Sequence, residues 1–304
     1  MKRLLASLTV VLTATAAPAL AQDSLLEDAQ SYFEAIPTVV PAPKDNAIIH
    51  DKVHLGKMLY FDPRLSSSHL LSCNTRHNVD LSGANGLSTS VGHGWQKEPR
   101  NAPTVLNALF KVAQFWDGHA EDLKTQAKGP IQAGVEMNSK PERVVKVLKS
   151  MPTYVDAFAA AFPGEEDPVT FDNVAKAIEA FETTPITPSA RFDQYLEGNA
   201  NVLTDHEKKG LQIFMDKGCV ACHNGVNIGG NDYYPFGVVE QLGANILPRN
   251  DKGRFAVTDT ATDQYVFRAP PLRNLVLTAP YFHSGNVWNL KQAMSLMGTA
   301  QAKN

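Results

Sequence analysis

Apolar residues recur at helical spacing along most of the chain, whereas the alternating or continuous runs typical of strands are few and short. Within 171–181, for example, Val174, Ile178 and Phe181 share one helical face. Tyr265–Phe267 is one of the short strand signals. The pattern predicts a mostly α-helical fold, with helices at 24–36, 54–61, 139–148, 153–162, 171–181, 204–217 and 290–297.

The ends of these helices divide the chain. Ser139 with Glu142 and Thr204 with Glu207 have the spacing of a capping box, in which two side chains cap the first helical turn. Residues 183–188 contain two prolines and no strong helical pattern, so we place a domain boundary there. A length of 304 residues favours about two domains, and the predicted domains are 22–186 and 187–304.

The strongest chemical signal is the segment Cys219-Val220-Ala221-Cys222-His223. A C-x-x-C pair followed directly by His is the attachment motif of a c-type haem, in which each thiol forms a thioether and the His ligates the iron. The alternatives are half of a structural zinc site or a redox dithiol. A structural zinc site needs four ligands, and Cys73 is the one other cysteine in the chain. We therefore interpret the motif as a haem site.

A second segment, Cys73-Asn74-Thr75-Arg76-His77, repeats this motif imperfectly. It keeps the leading Cys and the trailing His, but Arg76 stands at the position of the second Cys. An apolar helix that contains glycine precedes each motif, at 54–60 and at 209–214. This weak duplication predicts two mostly helical haem modules.

Charge and the N-terminus narrow the class of protein. The formal net charge is −3 and basic residues are dispersed, which argues against a nucleic-acid partner. Residues 1–21 have a basic start, a short apolar run and a small-x-small end, and they are predicted to be a secretory signal peptide. A membrane anchor is the alternative, but the run is short for a span. No later stretch is predicted to span a membrane, and we expect a periplasmic protein.

The chain resembles the bacterial dihaem cytochrome c peroxidases over nearly the whole mature sequence. Several blocks occur in the family's order with plausible separations, so the resemblance is specific. The blocks are HLGKMLYFDPRLS, CNTRHN, LSTSVGHGW, RNAPTVLN, FWDGHAEDL, GPIQAGVEM, GCVACHNG, LRNLVLTAPYFHSG and LMG. The resemblance implies two cytochrome c-like domains, each with one haem c. The N-terminal haem would be the low-potential peroxidatic centre, and the C-terminal haem the high-potential centre that accepts electrons.

The resemblance assigns ligands to the iron of each haem. At the first haem, His77 would be the proximal ligand and His93 the distal ligand that leaves on activation. At the second haem, which Cys219 and Cys222 would attach, His223 and Met297 would be the axial ligands. Met294 lies three residues earlier on the same helical face, and the residues alone do not exclude it. The family pattern, with the ligand directly before glycine, favours Met297.

Other residues would serve catalysis and metal binding. Glu136 would be the acid–base group that moves a proton between the peroxide oxygens, and Gln126 would be the distal amide that hydrogen-bonds peroxide. Trp116 would lie between the haems and assist electron transfer. Each also has an ordinary interpretation, as a surface carboxylate, a surface amide or a core aromatic residue. A calcium ion between the domains would bind Asn101 and the carbonyl groups of Thr278 and Pro280.

Two departures from the family weaken these expectations. Arg76 removes one thioether, so the first haem attachment site is predicted to be defective, and the first haem to be absent or poorly held. The family also usually continues for several helical turns beyond LMG, whereas this sequence ends at Asn304. We expect that shortened C-terminal domain to leave some apolar surface uncovered.

The predicted function is reduction of hydrogen peroxide to water. Electrons would come from a small c-type cytochrome or cupredoxin, and the active form would be a homodimer. One alternative is a monohaem electron-transfer cytochrome with a vestigial peroxidase domain, which Arg76 favours. Another is a relative that oxidises a protein substrate through a high-valent dihaem state. That relative typically has Tyr in place of the axial Met, so Met297 argues against it.

Overall fold

A computed structural model describes residues 24–301, and these residues form a mostly helical protein with a small sheet. The helices are α1 (Ser24–Tyr32), α2 (His50–Phe61), α3 (Cys73–Arg76), α4 (Leu123–Gln132), α5 (Pro141–Lys149), α6 (Pro152–Ala161), α7 (Phe171–Glu182), α8 (Arg191–Leu196), α9 (Asp205–Asp216), α10 (Phe255–Thr258) and α11 (Leu290–Gln301). Strands β1 (Tyr233–Pro235) and β2 (Val266–Arg268) pair antiparallel. The predicted signal peptide lies outside the described residues.

Most of the long helices follow the hydrophobic pattern, but α4 was not predicted, and Pro130 lies inside it. One of the two predicted caps is confirmed. At α9, the Glu207 N–H donates to the Thr204 hydroxyl at 3.3 Å, and the Thr204 N–H donates to Glu207 at 2.8 Å. At α5 the predicted capping box is wrong, because Lys140 is the N-cap residue and makes no side-chain cap. The hydroxyl of Ser139 instead accepts a hydrogen bond from Arg143 at 3.0 Å.

The larger hydrophobic core lies in the N-terminal part, where α2 packs against α6 and α7. Gly56 allows α2 to approach α7 closely, because a Cβ atom at Gly56 would lie 1.8 Å from the carbonyl oxygen of Ala177. Leu55, Leu59 and Tyr60 are fully buried beside this contact. The packing fixes the end of α2, and α2 leads into the segment that carries Cys73.

Smaller cores organise the rest of the described chain. Phe33, just after α1, packs with Tyr195 and Met215, so the N-terminal arm lies on the C-terminal part of the protein. Tyr281, Val287 and Ala293 form another core beside α11. Trp116 packs with Leu247 and Phe267, which ties the middle of the chain to the C-terminal part. Within residues 24–301, no helix combines the length and the apolar character that crossing a membrane requires.

Candidate functional site

The Cys219–His223 motif is built as a tight turn directly after α9. Gly218 adopts a left-handed conformation with φ of 74°, which reverses the chain before Cys219. Residues Cys219–Ala221 form one 3-10 turn, and the His223 N–H donates to the Cys219 carbonyl at 2.9 Å. The turn therefore holds both thiols and the imidazole on one short segment.

His223 is buried, and its environment suits an iron ligand. Burial lowers the pKa of the imidazole, although the carbonyl groups of Ile228 and Pro270 act in the opposite direction. Its Nδ1 atom makes no hydrogen bond of good geometry within the described chain. A neutral imidazole is the form that coordinates metals.

A cavity of about 740 Å³ opens beside this turn. Cys219, Cys222 and His223 line one wall, and Met297 of α11 also lines it. Two thiols, an imidazole and a thioether thus converge on one enclosed space of the size that cofactors occupy. These residues fit a haem c with two thioether links and His/Met axial ligands.

Met294 and Met297 both line this cavity, but their exposure differs. The Met294 side chain is 66% exposed, whereas Met297 is partly buried. A Met that ligates an iron inside the cavity must have its thioether shielded from solvent. The difference therefore supports the choice of Met297 over Met294.

The Cys73–His77 segment has the same local geometry as the intact motif. It forms helix α3, and the His77 N–H donates to the Cys73 carbonyl at 2.9 Å, as in the second motif. His77 Nδ1 lies 2.9 Å from the carbonyl oxygen of Pro103. With its proton on Nδ1, the ring donates this bond and leaves Nε2 free to bind a metal. Burial lowers the pKa of His77 to about 3, so the ring is neutral at neutral pH.

Cys73 is held in a pocket that disfavours the thiolate. Burial raises its pKa to about 12, and the nearby Glu182 carboxylate acts in the same direction. Burial also raises the pKa of Glu182 to about 8. Tyr60 closes the same region, since its hydroxyl donates to the carbonyl of His77 at 2.5 Å. A buried carboxyl beside Cys73 was not foreseen, because nothing in the spacing of α7 marks Glu182 as different from its neighbours.

The structure brings His93 and Glu136 together. The His93 N–H donates to the Glu136 carbonyl at 2.8 Å. Gly92 makes this approach possible, because a Cβ atom there would lie 1.9 Å from the carbonyl oxygen of Val135. The imidazole Nδ1 of His93 lies 3.3 Å from the Ser67 hydroxyl. The two predicted distal residues therefore belong to one backbone-linked unit.

Arg76 contacts this distal unit directly. Its guanidinium forms ion pairs with Glu136 and with Glu98, and the three side chains are 11%, 13% and 7% exposed. Burial lowers the pKa of Arg76 and raises that of Glu98. Glu98 was not predicted as a site residue, and only its position in the loop after His93 could have suggested it. At the first site Cys73 and His77 are the residues that could hold a haem, whereas Arg76 cannot supply a second thioether.

Trp116 and Gln126 lie in different environments. Trp116 is buried at the edge of the large cavity, and its indole N–H donates to the Asn101 carbonyl at 2.8 Å. Its ring meets that of His283 edge to face, with centroids 6.1 Å apart. Gln126 lies on α4 and is partly buried. Within the described residues, the Gln126 side chain makes no hydrogen bond to Glu136. The described part of the structure therefore shows no direct hydrogen-bonded link between the two predicted catalytic side chains.

The predicted calcium ligands all belong to the lining of the large cavity. Asn101, Thr278 and Pro280 all line it. The Asn101 amide N–H₂ donates to the Leu87 carbonyl at 2.9 Å, and its Oδ1 accepts no hydrogen bond among the described residues. One amide oxygen and two carbonyl groups are suitable donors for a hard cation. The residues present therefore fit a calcium ion.

Comparison with known proteins identifies the family. Residues 50–201 match the family model of the di-haem cytochrome c peroxidases. The chain is 57% identical to a cytochrome c551 peroxidase of Pseudomonas aeruginosa over 291 residues, 96% of this chain and 84% of that protein. It is 43% identical to a cytochrome c551 peroxidase of Nitrosomonas europaea, covering 97% of this chain and 85% of the relative. A solved structure of a MauG-like protein associated with microbial copper homeostasis matches with a TM-score of 0.77 and 30% identity, over 86% of this chain and 80% of that one.

The fold and the paired His-containing motifs define a haem-dependent redox enzyme. The chain belongs to the dihaem cytochrome c peroxidase family, whose members are oxidoreductases that act on peroxide.

Proposed function

We propose that this protein reduces hydrogen peroxide to water with electrons from a small c-type cytochrome or cupredoxin. The observation that carries the proposal is the convergence of Cys219, Cys222, His223 and Met297 on one cavity that Trp116 borders. The cavity site would accept the electron, and Trp116 would lie on the route to the first site. An axial Met ligand, such as Met297, raises the reduction potential of a haem iron, which suits the centre that accepts electrons.

At the first site, the side chains would prepare peroxide for cleavage. A haem bound there supplies the iron at which electrons reach the peroxide. His77 would hold this group from one side, since its ring is oriented by the Pro103 carbonyl. His93 would move away on activation, and the positive φ of Gly94 (63°) lets its loop turn sharply beside it. Gln126 would orient the peroxide.

Glu136 would carry a proton from one peroxide oxygen to the other, as general acid–base catalysis requires. Its Oε2 atom is engaged by Arg76 in this chain. That ion pair must open before the oxygen can exchange a proton, so we expect a lower rate than in a relative with Cys at this position.

The remaining assignments rest on the family. We propose that residues 22–186 and 187–304 form two haem domains, with α1 (Ser24–Tyr32) reaching across to the second, because it packs there. Calcium would bind Asn101 and the carbonyl groups of Thr278 and Pro280 between them. The mature protein would act in the periplasm as a homodimer.

The buried ion pairs of Arg76 with Glu98 and Glu136 support a second candidate function. The guanidinium of Arg76 is neutralised by these two carboxylates, and Arg76 stands where a second haem-attaching Cys would be needed. The protein would then be a monohaem electron-transfer cytochrome, with the second site alone in use.

Steady-state turnover separates the two functions. We expect peroxide-dependent oxidation of a reduced small c-type cytochrome, and Glu136→Gln should lower kcat by about 100-fold or more. Glu142→Gln, at an exposed position on α5, is the matched control and should leave the rate unchanged. Reduction of the protein by the donor without peroxide turnover would instead establish the electron-transfer function.

A further inference from the structure

Two cationic side chains are buried in the wall of the large cavity. Arg268 of β2 is 1% exposed and Lys111 is 8% exposed, and both line the cavity. They lie close together around Gly230, because Lys111 Cγ and Arg268 Nη1 are 3.4 and 3.6 Å from the position that a Cβ atom would take there. The stem of Lys111 and the guanidinium of Arg268 thus meet around Gly230, and the cavity wall holds two buried basic side chains.

No carboxylate in the described chain makes a direct ion pair with either side chain. Lys111 donates to the Thr104 carbonyl at 2.8 Å, and Arg268 donates to the Phe115 carbonyl at 3.2 Å. Neither side chain forms an ion pair within residues 24–301. Lys217 also lines the cavity, whereas no Asp or Glu does.

An uncompensated buried charge is costly. The burial of Lys111 and the charge of Arg268 both hold the lysine pKa well below its usual range. Glu182 is the carboxylate that acts on Lys111 most, but it lies on the Cys73 side and its own pKa is raised to about 8. Among the described residues, the cavity lining therefore contains no acidic side chain, and a bound molecule with negative charge could pair with the two basic side chains.

We propose that Arg268 and Lys111 bind the two carboxylates of the haem attached at Cys219 and Cys222. This inference rests on the haem proposed for the second site. A haem c carries two carboxylates on the porphyrin edge away from its thioether links, and both cations lie in the wall of the cavity that the thiols also line. Arg268 is also linked to Trp116, whose carbonyl accepts a hydrogen bond from the Arg268 backbone N–H at 2.8 Å.

The arrangement makes the charge of Arg268 and Lys111 a determinant of the haem potential. A cation beside the haem carboxylates disfavours the ferric state, which carries one more positive charge than the ferrous state. Removal of either cation should stabilise ferric iron. We expect the ferric-to-ferrous ratio at fixed potential to rise about tenfold, equivalent to a fall of about 59 mV for a one-electron couple.

The test is a potentiometric titration of the holoprotein, followed through the visible spectrum of the His/Met haem. Lys111→Met and Arg268→Gln remove the charges, whereas Lys111→Arg keeps one. Lys149→Met, at the end of α5, breaks an exposed ion pair with Asp167 and controls for the change in net charge. We expect the haem reduction potential to fall in Lys111→Met and in Arg268→Gln. It should stay near the wild-type value in the two control variants, Lys111→Arg and Lys149→Met.

Equal potentials in Lys111→Met and Lys149→Met would overturn the inference. If Arg268→Gln does not yield folded holoprotein, Lys111→Met and Lys111→Arg decide the question alone. The proposed haem site fails separately, because wild-type protein without haem on Cys219 and Cys222 by mass spectrometry would refute that site rather than the role of the two cations.

Discussion

Arg76 decides the state of the first site at the scale of single residues. It replaces a thiol with a guanidinium, and the buried guanidinium engages both Glu98 and Glu136. Removal of one partner from such a network leaves an unpaired buried charge, which commonly costs about 3–5 kcal/mol. The three buried charges therefore depend on one another, and the ion pair with Arg76 occupies the predicted acid–base carboxylate of Glu136.

Arg76→Cys should restore paired attachment at the first site. The new thiol would stand three residues after Cys73 and directly before His77, so we expect one additional fully attached haem per chain and a higher peroxidase rate. Intact mass and pyridine haemochrome absorbance measure the gain. Arg76→Met removes the charge without adding a thiol and is the control. Equal haem content in the two variants would show that the missing thiol does not limit attachment.

Glu182 should make stability depend on pH. Burial raises its pKa to about 8, above its ordinary value of 4.5. The folded state therefore holds the proton more tightly than the unfolded state. The stabilising contribution is complete below pH 4.5, declines as the pH rises, and is lost by about pH 8.

Glu182→Gln removes this dependence. The wild type should lose stability between pH 5 and pH 8, whereas the variant should not. The difference in free energy of unfolding, variant minus wild type, should therefore rise by a few kcal/mol over this range, since a tenfold change in proton affinity is worth about 1.4 kcal/mol. Guanidinium unfolding followed by circular dichroism at both pH values measures it. Asp167→Asn, at an exposed ion pair, should show no such trend. A constant difference between Glu182→Gln and wild type would contradict the assignment.

At the scale of elements, one close helix contact positions the first site. The α2–α7 contact depends on Gly56, whose missing Cβ leaves room for the Ala177 carbonyl, and α2 then delivers Tyr60 to the backbone of His77. The second site uses a different device, in which Gly218 reverses the chain after α9. Glycine thus serves both motifs, once through close packing and once through backbone conformation.

Gly56→Ala should destabilise the protein by about 3 kcal/mol, because the added methyl group overlaps a backbone atom that cannot move without displacing α7. Thermal or denaturant unfolding measures the loss. Lys57→Ala, at the next and exposed position of α2, should change stability by less than about 0.5 kcal/mol. Similar stability for the two variants would mean that α2 and α7 are not in this close contact.

Hydrophobic spacing predicted most of the long helices, because their apolar residues share a buried face. It missed α4, whose sequence contains Gly129 and Pro130, two residues that disfavour a helix interior. It misplaced the cap of α5 by one residue, because Ser139 binds Arg143 instead of the helix end. Each Cys-containing motif forms one short turn, which holds Cys73 with His77 and Cys219 with His223. The sequence pattern could not predict contacts between distant segments. No local pattern indicates that Arg76 pairs with Glu98, or that Lys111 and Arg268 pack around Gly230.

At the scale of the whole molecule, the described chain joins two unequal haem motifs. The C-terminal motif has paired thiols, a buried neutral imidazole and a thioether around one cavity. The N-terminal motif keeps an oriented imidazole but carries a buried ion-pair network in place of its second thiol. Trp116 and the basic residues Lys111 and Arg268 also line the large cavity. We expect the two sites to differ in haem content for this reason.

Peptide mass spectrometry of protein matured in the periplasm tests this difference most directly. We predict that the peptide containing Cys219 and Cys222 carries haem through two thioethers in essentially every chain, while the peptide containing Cys73 carries haem through one thioether in at most a fraction of chains. A Cys219–Cys222 peptide without haem, or equal complete loading of both peptides, would contradict the account.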